Sequence, residues 1–257
     1  MRKLKSLLEP TVNGEVKHNF AYGTLEGMVS NVAFSLVNPF FGVYAIALGA
    51  SSLMVGLLTA IPALINTIVF IPAAGFVERR ESRLPTVLFW AGLHRSLYLV
   101  LACIPFMPVA RPAFLVAIVT LMSVPGAISG VAWTAMMGDM FPAEDRGEIF
   151  GLRNMFVGIT GILGTMVAGR LLDRVPFPGN FSLLFLIAAG FGGWGIVLLS
   201  RMREPLIERP VHIGQRARFI SRIKSLLDDE ELGSKFKVFC VSSFLLWCGF
   251  GFLAAMW

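Results

Sequence analysis

Residues 74–83 read A-G-F-V-E-R-R-E-S-R, a charged turn between two long apolar segments. At an offset of 95 the motif returns as Gly169, Arg170, Leu171, Leu172, Asp173 and Arg174: a small residue, three spacers, an acid and an arginine. Each copy closes a helix-length apolar segment whose small residues share one face. The two copies together decide the fold.

Outward from that turn, the chain is 56% hydrophobic and only 15% charged, with a mean hydropathy of +0.73. Soluble domains average about 45–50% apolar and 25% charged residues, so this composition belongs in a bilayer. The net charge of +6 does not indicate nucleic acid, because the basic residues sit in short loops and form no continuous patch. Cys103, Cys240 and Cys248 lie inside apolar runs and are expected to be buried thiols; they have no partners at metal-binding spacing. The sequence contains no HExxH, GxSxG or phosphate-loop motif, so an enzyme is not expected, and no cofactor or metal is called for.

Seven apolar runs are long enough to cross a hydrocarbon core, which needs about 20 helical residues: 20–48, 53–77, 84–105, 112–137, 149–172, 181–200 and 236–257. They are too long for strands and lack the alternation of a barrel, so helices are expected. Residues 1–19 form a basic tail without a signal-peptide core. Residues 201–235 form a polar linker, in which Phe219, Ile220, Ile223, Leu226 and Leu227 predict an amphipathic helix on the membrane surface. With the tail cytoplasmic, 18 Lys and Arg fall inside and three outside, with Arg146 and Arg153 counted at the inner link between spans 4 and 5 and Arg95 placed within a span. That bias places the N-terminus inside.

Within the first span, Thr24, Asn31 and Asn38 recur every seven residues and form a polar stripe, which suits either helix packing or a wet cavity. Glu26 lies about 9 Å inward from Phe20 and Arg95 about 16 Å inward from Leu84 at 1.5 Å per residue. Ionisable groups at such depth are costly and mark functional sites by default. Glu26 is a candidate for proton or substrate coupling, for a structural ion pair, with Arg95 as a candidate partner, or for snorkelling towards the cytoplasm; Arg95 is a candidate for binding an anionic substrate, for a structural pair or for burial with hydrogen bonds. Pro125 and Gly126 interrupt the fourth span and can bend it or expose carbonyls. Trp133 is expected to be a packing or interfacial aromatic, with a substrate platform as the alternative.

The offset of 95 also aligns Gly56 with Gly151, Ala63 with Gly158, Ala73 with Ala168, Ala74 with Gly169, Glu78 with Asp173, and Arg79 with Arg174. A unit of three helices therefore repeats, and an odd number of helices turns the second copy upside down. In the second copy Gly147, Gly151, Asn154, Gly158, Gly161, Thr165 and Ala168 form one small-residue ridge, expected to admit a neighbouring backbone. Ala74, Glu78, Arg79 and Arg83 resemble the signature loop between helices 2 and 3 of the major facilitator superfamily. Ala74 stands where that family has its first glycine and Glu81 where it has its second. Asp139, Pro142, Arg146, Gly147 and Gly151 resemble the family's link from helix 4 to helix 5. The fifth span lacks the Gly-Pro pair of the family's proton-coupled drug exporters.

The resemblance implies an all-α membrane protein: a six-helix half over residues 20–200 built of two inverted three-helix repeats, then the linker 201–235 and a seventh transmembrane helix. It also implies alternating-access transport of a small solute, with a proton or another ion as coupling partner and the bilayer as surroundings. On this resemblance Ala74, Glu78, Arg79 and Arg83 would act as a cytoplasmic latch. A complete facilitator has twelve helices, so the expectation is a truncated chain in an inner or plasma membrane, with a missing C-terminal half or a dimer partner. The alternative is a non-transporting remnant or membrane scaffold.

Overall fold

The computed structural model describes residues 14–205 and 230–255, all helix and short connection. The expected amphipathic helix of the linker, and the tail before residue 14, lie outside the described residues. The chain divides into two compact units, Met1–Glu208 and Arg209–Trp257.

In the first unit, helix α1 spans Gly14–Val37 and takes in the last residues of the expected tail. Pro39 cannot donate to a helical ladder, and the chain passes through a 3-10 turn at Asn38–Phe40 before resuming as α2, Phe41–Ala47. Gly49 then ends α2 at φ +88°, a conformation that glycine adopts without penalty, while the amide of Ala50 reaches back to the Ala45 carbonyl at 2.9 Å. The longer helices follow: α3 at Ser52–Glu78, α4 at Leu84–Cys103, α5 at Arg111–Met140, α6 at Arg146–Arg174 and α7 at Gly179–Leu199. Ser51 caps α3 by accepting from the Met54 amide, and prolines occupy the first turns of α4 and α5, where a missing donor costs nothing. Counting Gly14–Ala47 as one span, six helices among the described residues are long and apolar enough to cross a membrane.

The principal helix pairs are α1 with α6, α1 with α7, α3 with α5, α4 with α5, and α4 with α7. Exchanging α1 with α5, α3 with α6 and α4 with α7 maps this set onto itself. The short connections run successive helices in opposite directions, so the exchange relates two inverted units of three. Burial follows the same symmetry. Gly56 and Gly151, Ala63 and Gly158, Glu78 and Asp173, and Arg79 and Arg174 are exposed pairs; Ala73 and Ala168 are both buried; Ala74 and Gly169 are both half-buried.

The fifth-span ridge is not one contact. Gly161, Gly164 and Ala168 are buried, with Gly161 facing Asn31 and Ser35 and Gly164 facing Val32 and Ser35 of α1. Gly147, Gly151 and Gly158 face open space. Cys103 and Cys240 are also exposed, not buried as expected. In a membrane bundle the apolar surface turns outward to lipid, so an apolar run does not by itself bury its side chains in protein.

Two apolar clusters hold the unit. One gathers Tyr44, Leu101, Leu115, Phe181 and Phe185; Tyr44 stacks on Phe181 and donates to the Leu101 carbonyl at 2.9 Å. The other gathers Val77, Val87, Met136, Met137, Phe141, Ile149 and Leu199. Between the two clusters, α1 carries Glu26, Ser30 and Asn31, α4 carries His94 and Arg95, α5 carries Ser129, and α6 carries Arg153, and these residues line a cavity.

The second unit contributes α8, Glu230–Ala255, over the expected seventh span. It begins ahead of the predicted 236, and Phe236, Val238, Phe239, Val241, Phe244, Leu245 and Leu246 give it an exposed apolar surface.

Candidate functional site

The cavity measures about 650 Å³ and is lined from α1, α4, α5, α6 and α7. At its charged end Glu26 stands between two arginines. Its Oε1 lies 3.0 Å from Arg95 Nη2, and its Oε2 lies 3.6 Å from Arg153 Nη2. The three side chains are 5%, 16% and 10% exposed, so the pairing takes place largely out of water, where an unmatched charge is expensive.

Arg95 is stitched in. It donates to the Gly192 carbonyl of α7 at 3.0 Å and to Ser30 Oγ at 2.9 Å, and Ser30 in turn donates to Glu26 Oε1 at 2.6 Å. Gly192 and Gly195 make this possible. A Cβ at Gly195 would sit 2.5 Å from Ser30 Oγ and 2.9 Å from Arg95 Nη1. Arg153 is held differently: its Nε donates to the Gly23 carbonyl at 3.1 Å, and its guanidinium lies 4.7 Å over the Trp133 ring. The face of the indole attracts the cation through its quadrupole.

Among the sequence candidates, Glu26, Asn31 and Arg95 come together at the cavity, and Asn38 does not: it is exposed in the 3-10 turn beyond α1. Asn31 lines the wall but spends its amide on the Val157 carbonyl at 2.7 Å, bonding α1 to α6. Thr24 is buried, and its hydroxyl has no hydrogen-bond partner among the described residues. His94 bonds the Met122 carbonyl at 2.9 Å, close to Pro125 and Gly126, which do not interrupt the span as expected: α5 runs through them as one helix. Two residues gain a place that sequence reasoning did not give them. Arg153 belongs to the buried face of α6, not to the basic link, although the asymmetry of loop charge survives its removal. Trp133 stands in the cavity wall.

A second cluster lies where α3, α4, α5 and α7 end or begin. Arg83 forms an ion pair with Asp139 and donates to the Ala135 carbonyl at 2.7 Å, which joins the two signature segments. Arg146 bonds the carbonyls of Phe141 and Gly138, closing the turn from α5 to α6. Gly147 faces open space and Ala74 is half-buried, while Glu78 and Arg79 are exposed. The unforeseen member is Glu204. Its carboxylate accepts from the amides of Arg83 and Leu84 at 2.8 Å and from Ser82 Oγ at 2.7 Å. It thus caps the first turn of α4 from 120 residues away, with its charge at the positive end of the helix. Glu204→Ala is expected to cost about 1–2 kcal/mol and to speed amide exchange at Arg83 and Leu84. Exchange at wild-type rates would show that the cap is dispensable.

Six apolar helices in two inverted units, five of them lining a charged cavity between two apolar clusters, define a multi-pass membrane protein of the solute-transporter class. Residues 25–257 match the Major Facilitator Superfamily. The chain belongs to that family. No curated protein matches it.

Proposed function

We propose that the chain works by alternating access, with the cavity around Glu26, Arg95 and Arg153 as its solute site. The observation that carries this reading is the placement of three charges at mid-height, between two apolar clusters, in a family of small-solute transporters. Charge inside a membrane bundle is costly, and its usual return is a solute or ion pathway. The N-terminus lies on the cytoplasmic side of a plasma or inner membrane in this proposal, as the loop charges favour. A second helical half or a second copy closes the open side of the cavity. The Arg83–Asp139 pair and Glu204 hold the α3–α4 turn in place, while exposed Glu78 and Arg79 meet the moving partner surface.

Gly130 lines the cavity, and a Cβ there would meet nothing within 4 Å. Gly130→Trp is therefore expected to fill the cavity without disturbing the bundle. Vesicles containing the chain are incubated with a mixed panel of small neutral, anionic and cationic solutes, and their contents are read by mass spectrometry. At least one solute is expected to accumulate above protein-free vesicles, and Gly130→Trp is expected to abolish the excess. Contents equal to those of protein-free vesicles would favour a membrane scaffold; an excess that persists in Gly130→Trp would place the pathway elsewhere.

A further inference from the structure

We infer that the solute is a small organic anion whose acid group is taken by Arg153 and whose apolar body lies along Trp133; the inference rests on the solute-site reading above. The first ground is charge. Two guanidiniums face one carboxylate, and among the described residues no other Asp or Glu lines the cavity. One positive charge is left over in a place where charge is expensive, and an anion entering the cavity cancels it.

The second ground is donor accounting. Arg95 is committed to Gly192, Ser30 and Glu26, all within hydrogen-bond distance. Glu26 Oε1 is likewise occupied by Ser30 and Arg95. Arg153 is the looser arm: its Nη2 stands 3.6 Å from Glu26, beyond a hydrogen bond, and its Nη1 reaches Asn154 only at 3.4 Å. A guanidinium offers five N–H donors in a planar fork suited to a carboxylate or a similar acid group. Arg153 thus has both the spare donors and the surplus charge.

The third ground is the wall. Phe34, Tyr98, Trp133, Val157 and Leu199 make much of the lining apolar, with Ser129 and Thr134 as polar points. A bare inorganic anion would leave that surface without a partner. An anion with a flat apolar body would pack against Trp133 beside the guanidinium that lies 4.7 Å from its ring centre.

The test uses the full chain in vesicles, with Cys103, Cys240 and Cys248 replaced by serine and Ser129→Cys added as a reporter in the cavity. Three methanethiosulfonate reagents of similar size are compared: anionic sulfonatoethyl, neutral hydroxyethyl and cationic trimethylammonioethyl, each normalised to its rate with a free thiol. The anionic reagent is expected to react at least about tenfold faster than the cationic one, as electrostatic focusing in a charged cleft allows. Arg153→Gln should bring that ratio close to one, and Arg153→Lys, which keeps the charge if the glutamine variant misfolds, should retain most of it. Millimolar benzoate should slow modification, whereas benzamide and inorganic phosphate should not. If the neutral and cationic reagents react as fast as the anionic one, the anion inference fails and the solute cavity stands. Protection by phosphate equal to that by benzoate would remove the apolar body. If none of the three reacts, the cavity is closed to solutes and both readings fall.

Discussion

Glu26→Gln is expected to destabilise the six-helix unit by about 3–5 kcal/mol, the usual cost of removing one partner from a buried ion pair. The variant keeps the shape of the side chain, and Ser30 can still bond its amide. What it loses is the only carboxylate facing Arg95 and Arg153 in the cavity among the described residues. Two buried guanidiniums are then left without a countercharge. The check is a double-mutant cycle read by unfolding in mixed micelles. Adding Arg153→Gln to Glu26→Gln should recover a substantial part of the loss, because it removes one of the two stranded charges. Groups in one network couple by about 0.5–3 kcal/mol, whereas independent sites add. Additive losses would mean that the 3.6 Å contact carries no energy and that Arg95 alone is the partner of Glu26. Arg95→Gln should be the more damaging arginine substitution, since it also removes the donor to the Gly192 carbonyl and to Ser30 Oγ.

Much of this architecture is legible in the sequence because bilayer burial depends on run length and composition, both of which are linear properties. The repeat is legible for a related reason: two copies that pack alike need small residues at like positions, and the six aligned pairs share burial down to Ala73 and Ala168. The ridge on α6 shows where linear spacing misleads. Its steps of four and three hold a strict seven-residue period, and on a straight helix such a row drifts by about 20° per heptad. Over three heptads the row leaves the contact face, so Gly161 faces α1 and Ala168 is buried, while Gly147 and Gly151 face open space.

Arg153 was hidden by proximity to Arg146 and the polar link, yet a signal was present. It lies at helical spacing from Ile149, Gly161, Gly164 and Ala168, all of them buried on α6. An arginine on a face otherwise made of glycine, alanine and isoleucine is out of place at a lipid surface. Glu204 left no such trace. Its partners are three groups about 120 residues away, at the turn into α4, and nothing local distinguishes it from any acid in a polar connection.

Gly27→Leu is expected to displace Arg153 while leaving every charge in the sequence. Gly27 is the point on α1 over which the arginine passes. A Cβ there would stand 2.7 Å from Arg153 Cζ and 2.8 Å from Val157 Cγ2, closer than carbon atoms approach. Val157 is fixed by the helix and by the Asn31 bond to its carbonyl, so the guanidinium must move. Moving it breaks the Nε bond to the Gly23 carbonyl, opens the contact with Glu26 and lifts the cation off Trp133. Overpacking of this kind costs about 1–3 kcal/mol. The signature of displacement is a change in the Trp133 contribution to fluorescence, obtained as the difference from the same variant carrying Trp133→Phe. Gly151→Leu, on the open side of α6, is the control: its Cβ meets nothing within 4 Å, and it should change stability by less than about 0.5 kcal/mol. If Gly27→Leu proves as mild as Gly151→Leu and leaves the Trp133 signal unchanged, then α1 and α6 are not in the close contact described. If instead the signal changes, the stability loss is modest and the preference of the cavity for anionic reagents disappears, then the position of Arg153, and not merely its presence, sets what the cavity accepts.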